Sequence, residues 1–165
     1  MENSLSAESA ASSPSERKAY RAIFVGGLIA GILDISSAFI NSAIHHGRNP
    51  IGILQGIASA LLGPESFNGG LATAALGLAI HFLIATVACA VFYLASRKIT
   101  FLVKQAILCG ALYGVVVYLF MYQVVLPIAF PRRIPQSLGQ VITAVIIHMV
   151  CVGLPIALTV RWYSK

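Results

Sequence analysis

Four long apolar stretches, each with at most one charged side chain, constrain this chain more than any other feature. They cover about residues 22–44, 71–96, 101–126 and 138–160. Roughly 20 apolar residues in a helix cross the hydrocarbon core of a bilayer. Only 10% of all residues are charged, against about 25% in a soluble domain, so the chain lacks a polar coat. We therefore predict an all-α, polytopic membrane protein with four transmembrane helices.

The composition excludes a water-soluble globular domain. The net charge of +6 does not indicate a nucleic-acid binder, because the basic residues flank the apolar stretches. Lipid headgroups and membrane topology explain basic residues in such places. The predicted partner is the lipid bilayer, with no nucleic acid.

Two regions follow from this pattern. Residues 1–19 are rich in Ser, Ala and Glu, a composition that buries too little apolar surface to fold, and we predict a flexible cytoplasmic tail. Residues 20–165 form the predicted transmembrane domain. The first residues lack the basic start and apolar core of a cleavable signal peptide, so none is predicted.

A short apolar segment, residues 50–62, lies between the first two stretches. Asn49 and Pro50 are typical of an N-cap and a first helical position, and Gly63-Pro64 ends the segment. A helix of this length measures about 20 Å and is too short to cross a bilayer. We predict an interfacial helix, with a re-entrant segment as the alternative.

The loop charges predict the orientation. Eight basic residues lie on the side of the termini and three on the other side. Because basic residues are enriched in cytoplasmic loops, both termini are predicted to be cytoplasmic. The eight are Arg17, Lys18, Arg21, Arg97, Lys98, Lys104, Arg161 and Lys165; the three are Arg48, Arg132 and Arg133.

One polar side chain from each apolar stretch falls at a similar depth. At 1.5 Å per residue, Asp34, His81 and His148 lie about 20, 24 and 20 Å from the nearest basic helix ends. Tyr118 lies about 21 Å from Lys104 by the same measure. Small residues at four-residue spacing share a helix face with each of these groups and let helices approach closely. The four side chains are therefore predicted to face one another inside the bundle.

Asp34 is the acid inside an apolar stretch, and an unpaired charge at that depth costs several kcal/mol. It must be protonated, paired with a cationic histidine, or bound to a ligand. The plain alternative is that Asp34, His81 and His148 are interhelical hydrogen-bond partners. The functional hypothesis is an intramembrane polar site that binds a small ligand or relays protons.

Two cofactor hypotheses remain open beside it. Asp34, His81 and His148, with Cys151 nearby, could supply a carboxylate and two imidazoles to a metal ion. Alternatively, His81 and His148 could be the axial ligands of a haem b. No HExxH or CxxCH spacing supports either one. Cys89, Cys109 and Cys151 are predicted to be free thiols, since none forms a CxxC pair.

A different class of function is a structural or accessory subunit. Its small-residue stripes would then dock a larger membrane complex or a second copy of the chain. Motifs of nucleotide binding and of serine nucleophiles are absent from the sequence. An enzyme is therefore the less favoured class.

The sequence also resembles a family of small four-helix bacterial inner-membrane proteins with no assigned activity. The likeness covers residues 20–160 and is carried by four segments: GGLIAGILD (26–34), ILQGIAS (53–59), TAALGLAIHF (73–82) and HMVCVGLPIAL (148–158). It implies four membrane helices in a bacterial cytoplasmic membrane. It implies nothing about a substrate.

Overall fold

A computed structural model describes residues 14–47, 49–130 and 136–164. These residues form five main helices: α1 (Pro14–His46), α2 (Pro50–Leu62), α3 (Gly70–Lys98), α4 (Ala106–Ala129) and α5 (Leu138–Tyr163). A 3-10 helix, Gly63–Asn68, joins α2 to α3, and a single turn, Phe101–Lys104, precedes α4. Helices α1, α3, α4 and α5 are long and apolar enough to cross a membrane. The prediction of an all-helical chain with four long apolar helices is confirmed.

Helix α1 begins at Pro14 rather than near residue 22. Residues 14–19 of the predicted flexible tail are therefore helical. Proline is favoured in a first helical turn, and Glu16 interacts well with the positive end of the helix dipole. Residues 1–13 of the predicted tail and Arg48 lie outside the described residues, as do residues 131–135, for which Pro131 and Pro135 predict a tight turn.

Helix α2 has the bounds predicted for it. The Asn49 side chain accepts a hydrogen bond of 2.7 Å from the Gly52 amide, and Pro50 occupies the first turn. Both local predictions are confirmed. Gly63 caps the other end with a φ of 68°, a conformation that glycine adopts without steric penalty.

Helix α4 continues through Pro127 to Ala129 instead of ending at residue 126. A π-helical segment, Met121–Val125, precedes the proline, and the Leu126 amide donates to the Met121 carbonyl. This wider turn accommodates a ring that would clash with a carbonyl in a regular α-helix. The proline therefore perturbs the helix without ending it.

Helix α5 also has a π-helical segment before a proline. Its π-helical segment, His148–Gly153, precedes Leu154-Pro155, and the Leu154 amide donates to the Met149 carbonyl. Pro155 lacks an amide hydrogen and so predicts a disturbance of the helix, which takes the form of this π-helical segment. Both prolines belong to a Leu-Pro-Ile-Ala sequence, at 126–129 and at 154–157.

The apolar core lies in the half of the bundle nearer the termini, which we call the terminal half. It combines residues of all four long helices: Ala30, Cys89, Phe92, Ala106, Val152, Ile156, Ala157 and Val160. The Tyr113 hydroxyl donates a 2.7 Å hydrogen bond to the Ala88 carbonyl and ties α4 to α3. All three cysteines are free, as predicted.

Glycines set the closest helix contacts. Gly110 and Gly114 of α4 face the backbone of α5 at His148, Met149 and Gly153, and Gly27 of α1 faces Thr86 of α3. Gly77 of α3 faces the Leu54 carbonyl of α2. The small-residue stripes are therefore used within the chain.

Candidate functional site

Two cavities meet in the half of the bundle that lies away from the termini. The inner cavity, of about 170 Å³, is walled mainly by apolar side chains such as Ile84, Val117 and Val152. The outer cleft, of about 730 Å³, lies between the outer parts of α1, α4 and α5. Its polar lining includes Asn41, Gln136, Gln140 and Thr143, together with Ser37, His45 and Tyr122.

Asp34 of α1 and His148 of α5 line both cavities. Both side chains are half-buried. They therefore stand where the wide polar cleft passes into the small apolar cavity. A ligand that entered the cleft would meet these two groups at its floor.

His148 is held by its own helix. Its Nδ1 lies 2.8 Å from the Ala144 carbonyl, and since a carbonyl only accepts, Nδ1 carries the proton. The other nitrogen, Nε2, is then an acceptor in the neutral ring and a donor in the cation. His148 also begins the π-helical segment of α5, a feature that recurs at functional sites.

An aromatic cluster on α4 packs against His148. The ring centroids of Tyr118 and Tyr122 lie 5.6 and 6.3 Å from that of His148, in edge-on geometry. Tyr118 is only 4% exposed and donates a 3.1 Å hydrogen bond to the Gln136 side chain. Tyr118 thus supports His148 from behind, whereas Tyr122 lines the outer cleft.

His81 has a different role. It lines the inner cavity, and its Nε2 donates a 3.0 Å hydrogen bond to the Gly31 carbonyl on α1. This contact joins α3 to α1 one turn before Asp34. For His81, this geometry matches the alternative prediction that the buried polar residues form interhelical hydrogen bonds.

Asp34 has no Lys or Arg beside it among the described side chains that line the two cavities, although His148 lines both of them. The hydroxyl of Ser37 donates to the Asp34 backbone carbonyl at 2.7 Å, not to its carboxylate. Cys151 lies near both Ser37 and Asp34 but lines neither cavity. Asp34 is therefore the acidic side chain available to a ligand in the cleft.

The metal and haem hypotheses were tested against this geometry. Over the described ranges, no group of three or more His, Cys, Asp or Glu side chains could hold a metal ion. The inner cavity between His81 and His148, at about 170 Å³, is close to the roughly 150 Å³ of a cavity that binds benzene. A macrocycle of four pyrrole rings does not fit between these histidines as packed.

Sequence reasoning singled out Asp34, His81, His148, Tyr118 and Cys151, and the structure brings the first three to one cavity wall. Sequence reasoning missed the polar residues just before and within the first turns of α5. Gln136, Gln140 and Thr143 recur at intervals of four and three residues before His148, and this spacing was the available signal.

Family models, curated proteins and solved structures were compared with the chain, and none matches it. The resemblance to small bacterial inner-membrane proteins stays a prediction. The function must be argued from the residues themselves.

Proposed function

We propose that this chain is an integral membrane protein that binds a small polar ligand at Asp34 and His148. The ligand enters through the outer cleft, from the side opposite the termini. One observation carries the proposal: these two polar side chains lie at the junction of a wide polar cleft and a small apolar cavity. Small-molecule sites combine an apolar wall with a few convergent polar groups in this way.

The outer surface of the helices supports insertion in a membrane. Large apolar side chains are exposed along all four long helices, such as Phe24 (65%), Leu83 (63%), Leu112 (57%) and Val150 (54%). A water-soluble monomer rarely exposes so much contiguous apolar surface. We propose the cytoplasmic membrane of a bacterium as the location, with both termini in the cytoplasm because of the loop charges.

The packing of α2 favours a re-entrant segment over an interfacial one. A cleft between α1 and α2 is lined by Asn41 on one side and Gly56 on the other. Further along α2, Ile57 and Ala60 line the inner cavity together with Asp34. We infer that α2 folds back along α3, where Gly77 faces the Leu54 carbonyl, and reaches the depth of Asp34.

A buried polar network supports that depth. The Gln55 side chain, 7% exposed, donates to the Gly70 carbonyl at 3.0 Å. The Ser66 hydroxyl donates to the Gln55 carbonyl at 3.0 Å, and the Thr73 hydroxyl donates to the Ser66 carbonyl at 2.6 Å. Backbone at membrane depth needs such internal partners.

Binding is favoured over a proton relay. On the terminal side of the site Phe92, Ile156 and Val160 are fully buried, and the hydroxyls of Tyr113 and Ser96 there each donate to a backbone carbonyl. A relay would need polar groups or water that continue through this region. The polar lining instead ends at Asp34, His81 and His148.

The proposal is tested by the accessibility of the cleft. Asn41→Cys places a thiol in the wall of the outer cleft. Since Asn41 also lines the cleft between α1 and α2, Ala144→Cys, which lines the outer cleft but not the other one, is labelled in parallel and must give the same result. Ser164→Cys places a thiol at the end that carries the C-terminus. We expect a membrane-impermeant maleimide to label Asn41→Cys in right-side-out spheroplasts and Ser164→Cys only in inside-out vesicles. The wild-type chain measures background from its native cysteines.

Labelling of Asn41→Cys from the cytoplasmic side would contradict the orientation. Labelling from neither side would show that the cleft holds no water, and it would overturn the binding site. Labelling of both positions from one side would contradict a bundle that crosses the membrane.

A further inference from the structure

We infer that the ligand is a small organic cation: an ammonium group joined to an apolar group about the size of benzene. The inference rests on the proposed function and specifies the chemistry of the same site. Charge, wall chemistry and cavity volume each support it.

Among the described residues, the lining of the site has an acid without a permanently basic partner. Asp34 lies at the cleft floor, and no Lys or Arg is among the described residues that line the cleft or the inner cavity. A carboxylate at membrane depth is costly without a counter-charge. A cationic ligand supplies that counter-charge, whereas an anion would add repulsion.

The other titratable groups facing the cleft are His45, His148 and Tyr122. His148 presents Nε2, since its Nδ1 proton is engaged with Ala144. A neutral imidazole therefore offers an acceptor to an ammonium N–H. The ring of Tyr122 adds an aromatic wall, to which cations are attracted.

The uncharged polar groups also suit a donor-rich ligand. Asn41, Gln136 and Thr143 line the cleft and carry side-chain oxygens that accept hydrogen bonds. The N-terminus of α5 also lies at the cleft, and a helix N-terminus favours anions. Its first turn, however, is closed by a capping box in which Ser137 and Gln140 bond each other.

The inner cavity sets the size of the apolar part. Its volume of about 170 Å³ is near that of an apolar cavity that accepts benzene, about 150 Å³. The walls include Ile57, Ile84 and Val152. Since Asp34 lines both spaces, an ammonium group beside Asp34 leaves its apolar substituent in the inner cavity.

The last turn of α2 adds a further electrostatic contribution. Ile57 and Ala60 place the C-terminal part of this 13-residue helix at the inner cavity. The C-terminal end of a helix carries a partial negative charge. The Gly63 amide bonds the Ser59 carbonyl at this end, so the dipole of α2 adds only to the main attraction for a positive ligand, which is Asp34.

Three probes of one shape and different charge test the inference: benzylammonium, benzyl alcohol and benzoate. Binding to the purified full chain in detergent micelles is measured by isothermal titration calorimetry. We expect benzylammonium to bind at least tenfold more tightly than the other two. Asp34→Asn should abolish that preference, and the matched variant Glu65→Gln, which removes an exposed acid outside the site, should keep it.

A separate variant tests whether the inner cavity holds the apolar part of the ligand. Ala88 lines the inner cavity, and Ala88→Leu should weaken benzylammonium binding tenfold while methylammonium binding stays within twofold of wild type. Thr143→Ala, at an exposed position of the cleft, should weaken the binding of both cations about threefold. This variant replaces Asp34→Asn if Asp34→Asn fails to fold.

The outcomes separate the inference from the function beneath it. If benzoate or benzyl alcohol binds more tightly than benzylammonium and this binding depends on His148, the inference of a cationic ligand is wrong. The proposed binding site would then still stand. If none of the three probes binds at millimolar concentration, the inference of a cationic ligand is also wrong. Labelling at Asn41→Cys would in that case still support a water-filled cleft. Failure of that labelling would remove the site itself.

Discussion

Gly114→Ala is expected to separate α4 from α5 at the histidine of the site. A β-carbon built at position 114 would lie 2.5 Å from the Met149 Cα, and still closer to the His148 carbonyl oxygen. Ordinary van der Waals contact begins near 3.4 Å. The two backbones must therefore move apart by about 1 Å, because neither is the end of a flexible side chain.

Two opposing contributions to the free energy of unfolding decide whether Gly114→Ala stabilises or destabilises the chain. Replacing glycine by alanine within a helix stabilises it by about 1 kcal/mol. Overpacking of a tight contact costs about 1–3 kcal/mol. Gly56→Ala isolates the first contribution, since nothing lies within 4 Å of a β-carbon built at that position. We expect Gly56→Ala to stabilise the chain and Gly114→Ala to be less stable than Gly56→Ala by about 1–3 kcal/mol.

The free energy of unfolding is measured by titration of the purified protein from mild detergent into sodium dodecyl sulfate. Helicity reports unfolding. Equal stabilisation by both substitutions would refute the close contact between Gly114 and the π-helical segment of α5.

Two further substitutions test the structural roles assigned above. His81→Leu removes the hydrogen bond to the Gly31 carbonyl and should lower the free energy of unfolding by up to about 1 kcal/mol, in the same titration; His81→Gln, which keeps a donor, should be closer to wild type, and equal losses would contradict the assigned bond. Gln55→Leu removes the bond to the Gly70 carbonyl, at a cost of about 1–3 kcal/mol. Hydrogen exchange should then rise in residues 50–69 but not in α5, and unchanged exchange there would show that Gln55 does not hold α2 in place.

Local signals predicted much of the fold. Hydropathy and length identified the four long helices, and the Asn49-Pro50 pair placed the start of α2. The prolines were harder to interpret. Pro127 favours a helix end at residue 126, yet a π-helical segment lets α4 continue to Ala129, because a wider turn accommodates the lost amide and the bulky ring.

The depth of polar side chains could also be estimated from the sequence, because each helix rises by a constant amount per residue. Depth, however, does not say which helices are neighbours. Asp34 and His148 line both the outer cleft and the inner cavity, whereas His81 lines only the inner cavity and is bonded to the α1 backbone at Gly31. Three polar residues of similar depth thus have two different environments.

The sequence alone determined that the chain forms long apolar helices with basic ends and a buried carboxylate, since these depend on local composition and spacing. Tertiary structure decided that the bundle is packed near the termini and open at the other end. Close contacts such as Gly114 with Met149 and Gly27 with Thr86 join residues far apart in sequence. Which helix faces meet depends on the fit of those distant surfaces, and only the folded chain combines them into a cleft with Asp34 at its floor.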